Sequence, residues 1–198
     1  MLAAAGLLAF WEAVGRLFGE PGVSTPVPSS VVASLFSNPG FYLTEAAPTF
    51  FEAVAGLLFA VVSSVVIASC FALWVPVRRA FLPLLIASQT VPLIAVAPLL
   101  ASVIGDGLVS RVVVTAWLCW FPVVVTTTHG MLNVDQRHLA LFETYGAKPT
   151  DIFWKLRVPS AAPSLVAGVR AAAGFALIGA IVVEYSGAEH GLGAFLMA

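Results

Sequence analysis

Charged residues are scarce in this chain of 198 residues: Asp, Glu, Lys and Arg make up 10% of it, and hydrophobic residues make up 60%. A soluble domain carries about a quarter charged residues. The mean hydropathy of +1.01 therefore indicates a protein of the lipid bilayer. A net charge of -1 supplies no basic surface for nucleic acid. We expect an all-α integral membrane protein that contacts membrane lipid and binds no nucleic acid.

Cysteine is almost absent, and the common motifs of enzymes are missing. Cys70 and Cys119 lie far apart within apolar runs, without CxxC spacing or clustered histidines, so we interpret both as packing residues. The sequence contains no GxSxG, HExxH or GxxxxGK[ST] pattern. We therefore predict a non-catalytic chain with no cofactor or metal of its own.

Apolar runs, in contrast, are abundant, and five of them are predicted to be membrane spans. The first contains Glu12 and Arg16, which are four residues apart and can pair on one helix face. The whole chain, 1–198, is predicted to form a single transmembrane domain. The five predicted spans cover residues 2–18, 53–75, 81–104, 108–128 and 160–183.

Prolines interrupt this pattern at two places. The third predicted span contains Pro83, Pro92 and Pro98, which remove backbone donors and are expected to bend it or break it into pieces. Between the first two spans, residues 19–38 are rich in proline, glycine and serine. This composition predicts an irregular connection followed by a short helix over residues 30–36.

The distribution of basic residues predicts the orientation in the membrane, because positively charged loops stay in the cytoplasm. Residues 19–52 contain no Lys or Arg, as expected of the outer side. Arg111 is the exception that alternating spans place on the outer side. Most of the other basic residues then share the cytoplasmic side: Arg78, Arg79, Arg137, Lys148, Lys155 and Arg157.

The loop 131–159 is the most polar stretch of the chain. Leu139, Phe142 and Tyr145 recur in it at helical spacing and predict a short amphipathic helix. Gly146 suits the left-handed position that follows a helix end. Pro149 then suits the first turn of a second helix.

The second helix is predicted to run over residues 149–156, with Asp151 near its positive end. The step Val158-Pro159 is then expected to turn the chain into the fifth span. Two short helices at an angle would form a compact knob that fits a groove on a partner protein. An amphipathic hairpin lying on lipid headgroups explains the same pattern equally well, and the residues alone leave both interpretations open.

Residues 142–163, which read FETYGAKPTDIFWKLRVPSAAP, resemble the loop of ABC importer permeases known as the EAA motif. The matching positions are Gly146, Ala147, Phe153, Pro159 and Pro163. The chain departs from the motif at Ala140, Leu141 and Phe142, which stand where the family has Glu-Ala-Ala, and Glu143 is not at the position of the motif glutamate. The resemblance implies that the loop docks into a groove of a cytoplasmic ATPase. The coupling residues expected on this basis are Phe142, Glu143, Gly146, Ala147, Asp151, Phe153 and Pro159.

Further segments resemble permeases of nitrate, sulfonate and taurine importers, a family that also imports vitamin precursors. These segments are Val27-Pro28-Ser29, Gln89-Thr90-Val91-Pro92, Gly168-Val169-Arg170 and Val183-Glu184. The resemblance implies the fold of type I (MetI-like) ABC importer permeases, with five spans present of an expected six. The final span, expected after Gly191-Leu192-Gly193, is missing, so the chain is interpreted as a fragment or a shortened homologue.

The resemblance also implies a function and a set of partners. The chain is expected to be a multi-pass permease of the bacterial inner membrane that forms the path for a small solute such as a sulfonate, nitrate or a vitamin precursor. Its expected partners are a second permease copy, an extracytoplasmic solute-binding protein and a cytoplasmic ABC ATPase dimer that binds ATP and Mg.

Four residues are candidates for the translocation pathway: Gln89, Pro92, Arg170 and Glu184. Each polar member also has a plainer interpretation. Gln89 can hold the broken helix by a hydrogen bond between helices, Arg170 can snorkel to the surface, and Glu184 can be a solvated carboxylate or part of a gate.

A rival hypothesis is an ATP-independent secondary transporter or channel. Such a protein is expected to show inverted internal repeats and ionisable residues at the middle of the bilayer. Neither is clear in this sequence. A scaffold that only recruits a soluble partner through the loop is a third hypothesis.

Overall fold

The protein is helical throughout the part of the chain that the computed structural model describes, residues 2–18, 26–105, 107–185 and 187–196. No β-strand occurs within these ranges, so the predicted all-α class is confirmed. Residues 19–25, in the predicted irregular connection, and Asp106 lie outside them. The helices are α1 (Leu2–Phe18), α2 (Pro28–Ser37), α3 (Pro39–Leu73), α4 (Val75–Ser88), α5 (Leu93–Ile104), α6 (Leu108–Leu132), α7 (Gln136–Thr144), α8 (Pro149–Ile152), α9 (Val158–Glu184) and α10 (Leu192–Phe195).

Three helical stretches among the described residues are long and apolar enough to cross a bilayer. They are Pro39–Leu73, Leu108–Leu132 and Pro149–Glu184. The chain is therefore an all-α integral membrane protein. Helix α1 has 17 residues, and α4 and α5 are shorter, so the count of five spans stays a prediction.

The third predicted span, 81–104, is broken once. Helix α4 ends at Ser88 and α5 begins at Leu93, and the turn between them contains Pro92. A residue before proline is disfavoured in the helical conformation, which accounts for a break at this place. Pro83 and Pro98 lie inside α4 and α5, so they do not divide the chain further.

Two of the long helices extend beyond the predicted bounds. The predicted span 53–75 is the second half of α3, which begins at Pro39 and carries Pro48 inside it. Helix α6 continues past residue 128 to Leu132. An apolar environment favours such extensions, because each broken backbone hydrogen bond leaves groups that lipid cannot satisfy.

The predicted turn at Val158-Pro159 is wrong, because α8 continues into α9 as one helical stretch, Pro149–Glu184. The two helices are joined by a π-helical segment, Phe153–Arg157, in which the N–H of Val158 donates to the carbonyl of Phe153. Pro159 removes one donor, whereas a turn here would expose several unsatisfied backbone groups. Shifting the bonding to the π pattern keeps the chain helical.

Contacts divide the chain into two compact units, Met1–Glu45 and Ala46–Ala198. In the first unit, the predicted pair is confirmed: Arg16 contacts the Glu12 carboxylate at 2.6 Å. Both oxygens of that carboxylate also accept from Ser29, one from its hydroxyl at 2.6 Å and one from its backbone N–H at 3.0 Å. This network joins α1 to the first turn of α2.

In the second unit, α6 and α9 pack as an antiparallel pair through small residues. A Cβ at Gly168 would lie 3.1 Å from the carbonyl oxygen of Pro122 and from Cα of Val123, and one at Gly179 would lie 3.1 Å from Cα of Thr115. Close backbone approach of this kind lets van der Waals contact hold helices together in lipid. The core they share with α3 is made of Ala53, Ala60, Ala116, Cys119, Val123, Ala172, Ala176 and Ala180.

Helix α3 lies against α6 by the same means. Gly56 faces Thr115, where an added Cβ would approach the threonine side chain to 2.6 Å. One turn further along α6, the indole N–H of Trp120 donates to the hydroxyl of Ser63 at 2.5 Å. Small residues and hydrogen bonds between side chains thus complete a three-helix bundle of α3, α6 and α9.

Replacing Gly168 by alanine is expected to destabilise the bundle by about 1–3 kcal/mol, because the added methyl group meets backbone atoms of α6. Gly174→Ala is the matched control on the same helix, since a Cβ at Gly174 meets no atom within 4 Å. The control should be neutral or stabilising by up to about 1 kcal/mol. Thermal unfolding of both variants in detergent measures the difference, and equal melting temperatures would contradict the packing argument.

Candidate functional site

The polar loop forms a knob, residues 136–157, that consists of α7, a four-residue link, α8 and the π segment. The Asp135 carboxylate caps α7 by accepting from the N–H of Arg137 at 2.9 Å. At the other end of α7, the N–H of Gly146 bonds to the carbonyl of Glu143 at 2.9 Å, and the N–H of Ala147 bonds to that of Phe142 at 3.0 Å. These bonds close the chain back on itself and direct it into α8.

Gly146 adopts φ +69°, which confirms the left-handed conformation predicted for it. Pro149 is the first residue of α8 and Asp151 lies in its first turn, as predicted. Asp151 also pairs with Lys155 at 2.6 Å, one turn along the same helical stretch. The turn at Gly146 and the start of α8 at Pro149 could therefore be predicted from the sequence.

A cleft of about 380 Å³ opens between α7 and the start of α8. It brings together four of the seven predicted coupling residues, Phe142, Gly146, Ala147 and Asp151, and its other lining residues are Leu141, Tyr145 and Lys155. The Tyr145 side chain is 82% exposed. This cleft has an aromatic residue and an ion pair beside it, which suits a mixed apolar and polar protein surface.

The remaining three predicted coupling residues lie elsewhere. Phe153 is buried against Ala68, Met131 and Ala161 and so anchors the knob to the bundle. Glu143 is exposed on α7 and lines a second hollow, of about 260 Å³, which Phe153 also lines. Pro159 is exposed near the start of α9. Of the seven predicted coupling residues, Phe153 is therefore the one that is buried.

The four predicted pathway residues occupy different surroundings. Gln89 and Pro92 are exposed at the break between α4 and α5, and Gln89 lies at an apolar groove of about 430 Å³ between α3, α4 and α6. Arg170 is exposed on α9. Glu184, the last residue of α9, is 1% exposed, so its interpretation as a solvated carboxylate is wrong.

The surroundings of Glu184 explain its burial. One carboxylate oxygen accepts from the hydroxyl of Thr49 at 2.7 Å, and the other accepts from the backbone N–H of Gly193 at 2.7 Å. The Thr49 oxygen in turn accepts from the N–H of Leu192 at 2.9 Å. A buried carboxylate requires such donors, and here they come from α3 and from the segment that follows α9.

A second buried carboxylate, that of Glu52, lies on α3, one turn after Thr49. Glu52, 1% exposed, pairs with Arg111 of α6 at 3.0 Å. Thr49, Glu52, Arg111 and Glu184 make up what we name the far-end cluster, at the end of α9 opposite the knob. Sequence reasoning missed Thr49 and the pairing of Glu52. The available signal was Arg111 itself, the lone basic residue expected on that side, which required an acidic partner.

No group of three or more His, Cys, Asp or Glu side chains lies close enough to hold a metal ion anywhere in the described ranges. In the far-end cluster, both carboxylate oxygens of Glu184 accept from protein donors, whereas one oxygen of Glu52 is bound by Arg111 and the other has no hydrogen-bond partner among the described residues. Besides the hollow at Glu143, the openings that could receive a partner or a solute include the cleft of the knob and the groove at Gln89.

The apolar helical bundle, the break between α4 and α5 and the appended amphipathic knob are together consistent with the class of membrane permeases. The chain belongs to the binding-protein-dependent transport system inner membrane component family, whose model matches residues 60–198. It is therefore an ABC transporter permease and an inner-membrane protein, and it has the MetI-like fold of that family. Both the predicted family and the predicted location are confirmed.

Individual relatives carry more specific names. The chain is 35% identical to the formylaminopyrimidine transport permease protein ThiX of Halalkalibacterium halodurans, over 96% of this chain and 76% of the relative. It is 29% identical to the riboflavin transport system permease protein RibX of Chloroflexus aurantiacus, over 96% and 72%. The putative aliphatic sulfonates transport permease protein SsuC of Escherichia coli is 30% identical, over 55% and 41%.

Replacing Arg111 by methionine is expected to cost about 3–5 kcal/mol of stability, because Glu52 would keep a buried charge without its cation. The double variant Glu52→Gln with Arg111→Met removes both charges and should recover most of that loss. Thermal unfolding of the two variants beside the unmodified protein measures this. Equal destabilisation in the single and double variants would show that the pair is not what holds α3 to α6 here.

Proposed function

We propose that this permease forms the substrate path of an ATP-driven importer and couples to a cytoplasmic ABC ATPase dimer through its knob. Two copies of the chain enclose the path, a solute-binding protein delivers the solute from outside, and the ATPase binds the ATP and Mg. The chain itself is the non-catalytic subunit. The observation that carries the proposal is the cleft at Phe142, Gly146 and Asp151, mounted on a helix that continues into the membrane.

The covalent and packing connections of the knob suit it to transmit force. The stretch Pro149–Glu184 is helical for its whole length of about 54 Å, so a push on α8 reaches the far end of α9. At the base of the knob, Phe153 packs on Met131 of α6 and Ala68 of α3. The Arg157 guanidinium also donates to the carbonyl of Met131 at 3.4 Å. Movement of the knob would therefore move all three long helices.

The shape of the knob favours a protein partner over a lipid surface. A helix hairpin lying on headgroups needs one continuous apolar face. Here the exposed Tyr145 and Leu141 border a concave cleft, and Phe153 of the second helix is already buried in the bundle. A protruding side chain of an ATPase fits a cleft of this kind, whereas a planar headgroup layer does not fill it.

Replacing Gly146 by valine is expected to abolish substrate-stimulated ATP hydrolysis by the assembled complex. A β-branched residue at φ +69° costs about 1–3 kcal/mol, which would open the turn that directs α7 onto α8. The added Cβ itself meets no atom within 4 Å, so the effect is confined to the turn. The measurement is ATPase activity of purified complexes in lipid nanodiscs, with and without loaded binding protein.

Gly105→Val is the matched control, because Gly105 also has a positive φ, +100°, and open space around its Cβ position, but lies outside the knob. It should keep coupled hydrolysis. Normal coupling in the Gly146 variant, or equal loss in both, would overturn the assignment of the knob as the ATPase contact.

For the solute, we propose a small heterocyclic compound of the formylaminopyrimidine type. The support is the extent of similarity: the relatives named for formylaminopyrimidine and riboflavin align with 96% of this chain, and the sulfonate permease aligns with 55%. The groove at Gln89 supplies aromatic surface from Phe71, Phe81 and Trp117, on which a flat ring can pack.

Uptake into proteoliposomes that contain the permease, the ATPase and the binding protein encoded beside it would test the solute. Labelled formylaminopyrimidine should accumulate with ATP inside, and an aliphatic sulfonate should not. Preferential uptake of the sulfonate would refute the proposed solute and identify a sulfonate as the transported compound. Uptake that persists when the ATPase cannot hydrolyse ATP would favour the secondary-transporter hypothesis instead.

A further inference from the structure

The carboxylate of Glu184 lies where three parts of the second unit meet. It ends α9, it accepts the Thr49 hydroxyl of α3 at 2.7 Å, and it accepts the Gly193 N–H at 2.7 Å. Because Thr49 also accepts the Leu192 N–H at 2.9 Å, the hydroxyl bridges α10 and α9. Thr49 and Glu184 are both 1% exposed, so water does not compete for these bonds.

The backbone after α9 is shaped around this carboxylate. Gly191 has φ +122°, and a Cβ there would overlap the Glu184 carboxyl group. A Cβ at Gly193 would overlap the carbonyl oxygen of Ile181 and approach Cβ of Glu184 to 2.6 Å. Only glycine at both positions lets the chain approach closely enough for its N–H groups to reach the carboxylate and Thr49.

We propose that Thr49 and Glu184 form a permanent joint that makes α3, α9 and the segment Leu192–Phe195 move as one body during transport. Opening the joint would leave a buried carboxylate without donors, which is strongly unfavourable in an apolar environment. The pair of Glu52 with Arg111 extends the joint to α6. This inference rests on the proposed function, because it concerns how knob movement reaches the far end of the bundle.

The joint complements the contacts at the base of the knob. There, Phe153 ties the start of the long helical stretch to α6 and α3. At the other end, Thr49 and Glu184 tie its last residue to α3. Because both ends of the stretch Pro149–Glu184 are attached to α3, α9 cannot rotate simply by sliding along α3. Thr49 and Glu184 are thus positioning residues for transport, since neither has to touch the solute.

Replacing Thr49 by valine tests the joint, because valine keeps the shape and removes the bridging hydroxyl. The number of solute molecules imported per ATP hydrolysed should fall by at least about tenfold, the factor that corresponds to the loss of a hydrogen bond to a charged group. Valine removes that bond to Glu184 and also the bond from the Leu192 N–H. Thr49→Ser keeps the hydroxyl and should restore the ratio. A fall in folding yield alone would lower the amount of complex and not this ratio.

Thr127→Val is the matched control. Thr127 is also 1% exposed, and its hydroxyl has no hydrogen-bond partner among the described residues, so its removal cuts no bond. The control should import at the unmodified ratio. A ratio in Thr49→Val equal to that of the control overturns the proposal, and so does a serine variant as defective as the valine variant.

If Thr49→Val does not assemble, Glu184→Gln replaces it. Glutamine keeps the volume and exchanges one acceptor for a donor, so the ratio should fall by a smaller factor, and an unchanged ratio overturns the joint. Faster import by either variant would show a latch that opens in each cycle, which also overturns it. Failure of the unmodified protein to import with ATP would instead refute the proposed function.

Discussion

Close approach of helix backbones is the constraint on which the rest of this permease depends. In lipid, apolar side chains gain little by facing one another, so helices associate where small residues permit direct backbone contact. Gly168 and Gly179 on α9 and Gly56 on α3 all face α6 within van der Waals distance. Ala172, Ala176 and Ala180 on the same side of α9 are buried. The knob and the far-end cluster are both attached to the bundle that these contacts make.

In the mechanism that we propose, the bundle passes a local movement of the knob to the whole second unit. Its two ends are held by different chemistry: an aromatic side chain, Phe153, at the knob, and hydrogen-bonded carboxylates, Glu52 and Glu184, at the far end. Phe153 packs against the bundle at the base of the knob, near the start of the helical stretch Pro149–Glu184. The carboxylates lie where polar donors from three helices converge, and they hold the helix ends in register. Helix α4 has no buried residue, and it stands apart from these attachments beside the groove at Gln89.

Local features of the fold followed directly from residue order. The left-handed Gly146, the start of α8 at Pro149 and the break before Leu93 all depend on backbone preferences of glycine and proline. The turn predicted at Val158-Pro159 was wrong, because a backbone preference of proline acts only locally. There, continuity of a membrane helix outweighed the proline, and the π segment accommodated it.

The sequence by itself determined that this is a helical membrane protein with a polar loop between long apolar stretches, and which loop residues turn the chain. Those properties depend on composition and on neighbours a few residues apart. Only the tertiary structure decided which residues of the loop are exposed and which, like Phe153, are buried. It alone brought Thr49, Glu184 and the N–H of Leu192 together across more than a hundred residues, because hydrogen bonds between helices depend on packing register, and sequence spacing does not encode that register.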